Sequence, residues 1–216
     1  QPTAGYTVQD AVTYTGLTQA IIAYIAIWGW WDLIKSIRSG EVAADLSRPV
    51  DYFGYWCAQD LGRAAAQFLW RALPLVAVYA LVYPIRWPPS LAHWLALPAA
   101  LLLGLLVSFA WRFLVSLAAF WTQDAIGLGR AAWAFNIFLS GFILPNAFLP
   151  DWLRALANAT FFPAIVNTPI EVYLGLLTGP ALVGALAGQL AWFLALYAAG
   201  RIVLAAGIRR LVIQGG

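Results

Sequence analysis

Long apolar runs separated by short polar stretches dominate the chain, and five of these runs reach or approach the length that crosses a bilayer. A membrane-spanning helix needs about 20 mostly apolar residues, and unbroken runs favour helices over the alternating strands of membrane barrels. The pattern therefore predicts an all-α, polytopic helical membrane protein. We expect its five visible transmembrane helices at about 8–34, 64–83, 91–111, 131–144 and 180–204.

Residues that favour helix ends stand beside several of these runs. Thr7 and Asp10 have the spacing of a capping box at the start of the first helix. Pro84 ends the second run, and Ser90 is positioned to cap the third. The third run could continue as helix to residue 121.

Residues 145–179 are apolar but do not fit a spanning helix. Four prolines divide them into pieces of about a dozen residues, which are too short to cross a bilayer and indicate re-entrant or interfacial helices on the outer side. Thr168, Pro169 and Glu171 have the order of a capping box, so we expect Glu171 to cap its helix. The candidate residues of this outer re-entrant segment are Pro145, Pro150, Asp151, Trp152, Pro163, Pro169 and Glu171.

Composition excludes other classes. The chain is 63% hydrophobic and 10% charged, with a mean hydropathy of +0.79, whereas soluble domains are about 45–50% apolar and about 25% charged. Disorder is excluded because it requires low hydrophobicity, so residues 1–216 are treated as one transmembrane domain. The single cysteine (Cys57) and single histidine (His93) cannot form an internal disulfide or a zinc site between them, and no metal site is expected.

The distribution of basic residues predicts the orientation. If residues 35–63 lie in the cytoplasm, ten of the 12 Lys and Arg residues fall on or near that side, and only Arg86 and Arg154 face outwards. The C-terminus is then cytoplasmic. Because the chain contains no Met and begins at Gln1, we expect a preceding segment with a sixth span.

The cytoplasmic segment 35–63 is the most polar part of the chain. Residues 41–46 can form a short amphipathic helix that ends before Pro49, and aromatic residues follow. The segment is much longer than a typical connection of about 4–6 residues, and it mixes charges with aromatics. This composition favours a docking element for a partner subunit, although a solvated loop with interfacial aromatics is the simpler alternative.

Other polar residues indicate structural roles. Asp60 and Arg63 can pair at i,i+3 where the second span begins, either as a helix-end pair or as a functional switch. Arg71, Arg112 and Arg201 are expected to extend towards the headgroups. The only lysine, Lys35, lacks the glycines of a phosphate-binding loop, so ATP binding by that motif is excluded. His93 is expected in an outer loop, and four asparagines (136, 146, 158 and 167) are expected to join helices.

Several pieces, in this order and spacing, resemble the permeases of type-two ATP-binding-cassette (ABC) exporters, and more narrowly a bacterial subfamily of small permeases. The cytoplasmic pieces are Arg38-Ser39-Gly40-Glu41, Leu46-Ser47-Arg48-Pro49-Val50-Asp51 and Asp60-Leu61-Gly62-Arg63. The remaining pieces include Leu139-Ser140-Gly141, Phe148-Leu149-Pro150-Asp151-Trp152-Leu153, Phe161-Phe162-Pro163 and Gln214-Gly215-Gly216.

The resemblance implies a multi-pass permease in the bacterial plasma (inner) membrane with its C-terminus in the cytoplasm. Two permeases, identical or paralogous, would work with two cytosolic ATPase subunits that hold ATP and Mg²⁺, so this chain would hold no cofactor and would not be an enzyme. The ATPase would dock on a coupling helix at residues 40–52. Carried over, its candidate residues are Gly40, Glu41, Asp45, Leu46, Arg48, Pro49, Val50, Asp51 and Tyr52.

Two alternatives remain open from the sequence. The chain could be a non-catalytic membrane scaffold of a larger complex, or an intramembrane enzyme that modifies lipid. An enzyme of that kind needs acids or histidines gathered in one cavity, whereas the acids here are spread over both sides. Membrane lipid is an expected partner in every case and nucleic acid in none. The transported substrate cannot be derived from the residues.

Overall fold

The computed structural model of the chain describes residues 6–25, 31–47, 49–122 and 124–210, and these residues form helices and connecting loops without a β-strand. The α-helices are α1 (Val8–Tyr24), α2 (Asp32–Ser39), α3 (Val42–Leu46), α4 (Tyr52–Gln67), α5 (Leu73–Val82), α6 (Leu91–Ser116), α7 (Ala125–Leu139), α8 (Asp151–Asn158), α9 (Asn167–Leu174) and α10 (Gly179–Ile208). One π-helical turn (Phe68–Ala72) and three 3₁₀ turns (Leu117–Phe120, Asn146–Phe148 and Phe162–Ala164) complete the described helices.

Three continuous helices of the described residues are long and apolar enough to cross a membrane. They are Tyr52–Val82, Leu91–Phe120 and Gly179–Ile208. The all-α polytopic class is therefore confirmed, and the predicted extension of the third span beyond residue 111 is confirmed as well. The helices in the other two predicted spans are shorter than the three long ones. Helix α1 has 17 residues and α7 has 15.

The prediction of one continuous helix over residues 8–34 is wrong. The capping box is present, since Thr7 accepts from the Asp10 amide and the Asp10 carboxylate accepts from the Thr7 amide, but α1 ends at Tyr24. A separate amphipathic helix, α2, buries Leu33 and Ile37 and exposes residues 32, 35 and 38. Charges at this helical spacing favour a helix that lies along an interface rather than one that continues through hydrocarbon.

The second span begins earlier than its predicted start at residue 64. Helix α4 begins at Tyr52, because the Asp51 carboxylate accepts a hydrogen bond from the Gly54 amide at 2.8 Å and satisfies a free donor of the first turn. The same helix widens into a π turn before Pro74. Proline removes a backbone hydrogen bond and its ring disturbs the preceding turn of a regular helix, which accounts for an irregularity at this position.

Helix α6 is the central helix of the bundle. Its Gly104 lies so close to the backbone of the 145–179 segment that an added Cβ would stand 3.0 Å from the carbonyl oxygen of Ile165. Farther along α6, the rings of Phe109 and Phe113 pack edge-on against Phe53 of α4, with ring centroids 5.1 and 4.9 Å apart. Two buried faces of α6 thus join the other long helices to the segment of short helices.

The first turn of α6 differs from its prediction. Ser90 does not cap the helix through a backbone amide, because its hydroxyl pairs with Nδ1 of His93 at 2.8 Å. His93 is buried inside this turn rather than placed in a loop, and its Nε2 pairs with the carbonyl oxygen of Leu177 at 2.9 Å. The imidazole therefore ties the start of α6 to the loop before α10.

Candidate functional site

The two ends of the bundle differ in their charged residues, and the polar segment 35–63 lies at one of the two ends. Helices α2 and α3, the start of α4, the 3₁₀ end of α6 and the C-terminal part of α10 meet at this end. Most of the described basic residues lie here as well, and we call it the basic end. The described basic residues at this end are Lys35, Arg38, Arg63, Arg112, Arg130, Arg201, Arg209 and Arg210.

Residues 40–52, hereafter the 40–52 segment, form a short helix with one anchored side. Gly40 ends α2 in the left-handed region at φ 82°, a conformation that favours glycine. Helix α3 follows as predicted, and Val42 is its one buried side chain. Ser36 of α2 donates to the Asp45 carboxylate at 3.2 Å. The remaining side of α3 faces outwards.

The end of the 40–52 segment is fixed to two long helices. Asp51 caps α4 and also forms an ion pair with Arg201 of α10, at a half-exposed position. Tyr52 is buried and its ring packs edge-on against Trp56 and Phe113. The end of the 40–52 segment is therefore in direct contact with α4, α6 and α10.

The predicted docking residues thus divide by exposure. Tyr52 is buried, Asp45 and Leu46 are half-buried, and the exposed members are Gly40, Glu41, Pro49, Val50 and Asp51. The side chain of Val50 is 56% exposed, which leaves an apolar group on the open surface. Arg48 lies outside the described residues. Ala43 and Ala44 are exposed as well, and we call these exposed residues of the 40–52 segment its open face.

A buried ion cluster lies one layer deeper, between α4 and α6. The Asp60 carboxylate, 1% exposed, accepts from Arg112 Nη2 at 2.6 Å and from Arg63 Nη2 at 2.8 Å. Arg63 also donates to the carbonyl oxygen of Tyr24 at the end of α1, at 3.1 Å. The predicted Asp60–Arg63 pair is confirmed, whereas the expectation that Arg112 extends to the headgroups is wrong, because Asp60 holds it inside the bundle.

Sequence reasoning missed the two long-range partners of these acids. Arg112 lies 52 residues from Asp60, and Arg201 lies 150 residues from Asp51. The available signal was the presence of an arginine within an otherwise apolar run, because an intramembrane charge usually pairs with another one. Arg71 is exposed and lies near Gln67 of the preceding turn, so its side chain extends along the surface of its helix.

At the opposite end, α1 and the loop before α6 are joined by a second ion pair. Asp10, 1% exposed, accepts from Arg86 Nη1 at 2.9 Å, and the Arg86 amide donates to Thr13 Oγ1 at 2.8 Å. Tyr6 donates to the Glu171 carboxylate at 3.5 Å. Burial and the nearby Glu171 charge raise the pKa of Tyr6 above its ordinary value, so this phenol stays protonated and remains a donor.

A set of neutral hydrogen bonds, which we call the polar junction, holds the 145–179 segment against α1. Tyr14 donates to the carbonyl oxygen of Gly141 at 2.6 Å and approaches Asn167 Oδ1 at 3.2 Å. The Asn146 amide donates to the same Asn167 oxygen at 3.1 Å, and the Asn167 amide donates to the Ser140 carbonyl at 2.9 Å. The Asn167 side chain therefore joins two elements as predicted, whereas Asn146 contributes its backbone amide to this junction.

The predicted capping box at Thr168–Glu171 is wrong. Helix α9 begins at Asn167 and has no side-chain cap, and Glu171 points back to Tyr6 and Asn167 instead. The physical reason is that Asn167 already bonds across the polar junction, so the chain turns into a helix before Thr168.

The remaining candidates of the outer re-entrant segment do not converge on one site. Asp151 pairs with Arg154 on an exposed surface, and Trp152 is 70% exposed. Pro145, Pro163 and Pro169 are buried and Pro150 is exposed. These prolines separate the short helices α8 and α9 and the 3₁₀ turns, so their role is to shape the backbone.

Gln189 is a buried polar residue of α10 that sequence reasoning missed. Its Nε2 donates to the carbonyl oxygens of Ala100 at 3.0 Å and of Ala164 at 2.8 Å. One amide therefore joins α10, α6 and the 145–179 segment. Its signal in the sequence was a polar residue near the middle of the last apolar run.

No group of three or more His, Cys, Asp or Glu side chains within the described ranges could hold a metal ion. The geometry instead places the open face at the basic end, where Asp51 joins it to α4 and α10.

Comparison with protein families identified a family for this chain. The model of the family described as ABC-2 family transporter protein matches residues 2–215. No curated protein and no solved structure matches the chain. The family match covers nearly the whole sequence, including the 40–52 segment, the ion cluster and the 145–179 segment.

Proposed function

Because the chain belongs to the ABC-2 transporter family, we propose that it is an exporter permease driven by separate ATPase subunits, which dock on the 40–52 segment. Family membership itself makes the protein a multi-pass membrane permease subunit of an ABC transporter. ATP and Mg²⁺ belong to the partner ATPase in this proposal, and a second permease, identical or paralogous, completes the assembly.

The observation that carries the proposal is that the 40–52 segment has an open face while Val42 and Asp51 attach it to the bundle. Val42 is the buried side chain of α3, while Ala43 and Ala44 of the same helix are exposed. Small outward residues permit close approach of a partner surface, and Val50 adds an exposed apolar contact of the kind that interfaces bury. A connection that served only to link two spans would not need this length.

The route from docking to the membrane helices is short. A partner that moves α3 also moves Asp51, which is paired with Arg201 of α10 and caps α4. From α4, Asp60 and Arg63 reach α6 and the end of α1. Coupling requires that the partner bind differently to the two arrangements of the bundle, and the charged contacts supply groups that can exchange partners between arrangements.

The orientation belongs to the same proposal. The basic end faces the cytoplasm, since basic residues concentrate on the cytoplasmic side of membrane proteins, and the last described residues of α10 lie at that end. The chain then has a cytoplasmic C-terminus in a bacterial plasma membrane, and the 145–179 segment lies on the outer side.

The test is a bulky substitution on the open face. Ala44→Trp should abolish stimulation of ATPase activity by the reconstituted permease and should reduce co-purification of the ATPase at least fivefold, because the indole separates the surfaces. Ala181→Trp, at an exposed position near the start of α10, is the matched control and should leave both readouts unchanged. Full stimulation by a correctly inserted Ala44→Trp variant would overturn the docking assignment and favour a scaffold role.

A further inference from the structure

Glu171 of α9 differs from the other acids that lie inside the bundle, because its neighbours carry no positive charge. The Asp10 and Asp60 carboxylates are each paired with arginine, Asp10 with Arg86 and Asp60 most closely with Arg112. The ion pairs found among the described residues include none to Glu171. Glu171 is therefore an acid whose charge is not balanced within the described part of the chain.

The Glu171 carboxyl faces the interior, although the residue as a whole is only half-buried. The Tyr6 hydroxyl lies 3.5 Å from its Oε1, and the Asn167 amide is the other polar side chain beside it. Tyr6 and Asn167 are themselves only 4% and 5% exposed. Both are neutral donors, so an ionised carboxylate here has hydrogen bonds without an opposite charge, and a desolvated charge of this kind tends to neutralise.

The surroundings of the Glu171 carboxyl favour its protonated form. Burial is the largest influence and raises its pKa above the ordinary value, while hydrogen bonds from Asn167 and Tyr6 offset only part of that rise. The carboxyl therefore takes up a proton at a pH where a fully solvated glutamate, with an ordinary pKa of about 4.3, is already ionised.

The elements packed against α9 supply no free cation to this carboxyl. Helix α9 contacts α1, α6 and the 3₁₀ turn at Phe162–Ala164, which has no titratable side chain. Arg86 is bonded to Asp10, and both ring nitrogens of His93 are engaged. The titratable side chains of α1, α6 and the loop before α6 are Asp10, Tyr14, Tyr24, Tyr83, Arg86, His93 and Arg112.

The second neighbour of the carboxyl also belongs to the polar junction. Asn167 Oδ1 accepts from the Asn146 amide at 3.1 Å and from the Tyr14 hydroxyl at 3.2 Å, so the amide nitrogen of Asn167 is the group that can donate to Glu171. Ionisation of Glu171 places an unbalanced charge beside the contact between α9 and α1, and protonation removes that charge. The strength of this contact therefore depends on the proton.

We infer that Glu171 is a proton-binding switch, in which protonation strengthens the attachment of α9 to α1 and ionisation weakens it. On the proposed orientation this end of the bundle lies on the outer side, so the switch responds to acid outside the cell. The inference goes beyond the proposed function and does not require it, because it concerns the permease alone, before any ATPase binds.

Infrared spectroscopy of the permease in mixed micelles tests the proton site. The carbonyl stretch of protonated carboxyl groups is followed from about pH 4 to about pH 8, which spans the ordinary glutamate pKa of about 4.3 and values above it. Glu171→Gln should remove a band that titrates above that ordinary pKa. Glu41→Gln, at the only other glutamate of the chain and an exposed position, should leave the band unchanged. The absence of any difference between the unmodified protein and Glu171→Gln would overturn the inference.

The dependence of stability on pH tests the switch. A carboxyl whose pKa is raised by folding contributes stability that is complete at low pH and is lost as the pH rises through its folded-state pKa. Unfolding constants are measured in mixed micelles for the unmodified protein and Glu171→Gln. Their ratio, unmodified over variant, should rise at least threefold between about pH 5 and about pH 8, while the same ratio for Glu41→Gln stays constant. A constant ratio for Glu171→Gln would contradict the switch.

A change at the donor gives a second test that leaves the acid in place and serves if Glu171→Gln does not fold. Tyr6→Phe keeps the ring that packs against Tyr14 and Phe148 and removes the hydroxyl. Loss of a donor to the ionised form should shift the titration of the infrared band to higher pH, whereas Tyr83→Phe, at an exposed ring, should not. Identical titrations in Tyr6→Phe and the unmodified protein would contradict the assigned site.

Discussion

The 40–52 and 145–179 segments are both short helical connections between long apolar helices, yet they are attached in opposite ways. In α3, which the structure describes completely, only Val42 is buried. In α9, by contrast, Ile170, Val172 and Leu174 are all at most 1% exposed. The first segment leaves a face open, and the second fills the interior of the bundle.

The polar contacts of the two segments differ in kind as well. The 40–52 segment is joined to α10 by a charged contact, between Asp51 and Arg201. The 145–179 segment is held mainly by neutral hydrogen bonds, through Asn167 and Gln189. On the docking proposal, a partner covers and moves the 40–52 segment, whereas the 145–179 segment forms a fixed part of the bundle.

The largest expected effect comes from breaking the ion cluster beneath the 40–52 segment. Asp60→Asn leaves the half-buried Arg63 and Arg112 without their shared buried carboxylate, and removal of one member of a buried pair costs about 3–5 kcal/mol. The free energy of unfolding in mixed micelles measures this loss. Asp32→Asn removes an exposed i,i+3 partner of Lys35 and should cost about 0–1 kcal/mol. Similar losses in the two variants would contradict the buried cluster.

The next effect tests the attachment of the 145–179 segment. Gln189→Leu removes the donor to Ala100 and Ala164 and should cost about 1–2 kcal/mol, the range found for interhelical hydrogen bonds in membrane peptides. Gln59→Leu is the control, since Gln59 is exposed and bonds only to Tyr55 among the described residues. The free energy of unfolding in mixed micelles is again measured. An equal loss of stability in the Gln59→Leu control would contradict the role of Gln189 in joining α10 to α6 and the 145–179 segment.

A smaller effect is expected at the polar junction. Tyr14→Phe keeps the buried ring and removes the hydrogen bond to Gly141, so it should cost about 1 kcal/mol. Tyr83→Phe, at an exposed ring, should cost nothing measurable. ATPase stimulation should remain near the unmodified level in both variants, because the junction belongs to the fixed part of the bundle. A loss of stimulation that exceeds the loss of stability would show that the 145–179 segment also moves.

The smallest effect on stability is expected at Arg201. Its pair with Asp51 is half-exposed, so Arg201→Gln should change the free energy of unfolding by less than about 1 kcal/mol. The same change should reduce ATPase stimulation severalfold, because it removes the charged contact between the 40–52 segment and α10. Arg209→Gln is the control, an exposed arginine of the same helix end. Equal ATPase stimulation by the two variants would show that Arg201 is not required for coupling.

The sequence predicted local features better than distant ones. The Thr7–Asp10 box and the Asp60–Arg63 pair depend on a spacing of three residues within one helix, and both are present. The Arg112 partner could not be derived because no spacing rule connects residues on different helices. The box at Thr168–Glu171 had the correct spacing but failed, since Asn167 is engaged by residues far away in the chain.

The extent of the spans shows the same limit. Hydrophobicity located the long helices, but it could not distinguish a spanning helix from two helices that meet near an interface. The sequence therefore predicted one span over residues 8–34, whereas in the structure α1 ends at Tyr24 and α2 is a separate amphipathic helix. The start of α4 was missed because the apolar run begins only near residue 64, whereas the helix already begins at Tyr52, where Asp51 provides the cap.

Site-directed crosslinking tests the docking of the 40–52 segment most directly. A single cysteine at position 44, in a Cys57→Ala background, is treated in native membranes with a short thiol-to-amine crosslinker. The account predicts a covalent adduct between the permease and a cytosolic ATPase subunit, with no such adduct from a cysteine at Thr178 near the opposite end. An adduct from position 178 alone, or labelling of position 44 by a membrane-impermeant thiol reagent added outside intact cells, would contradict it.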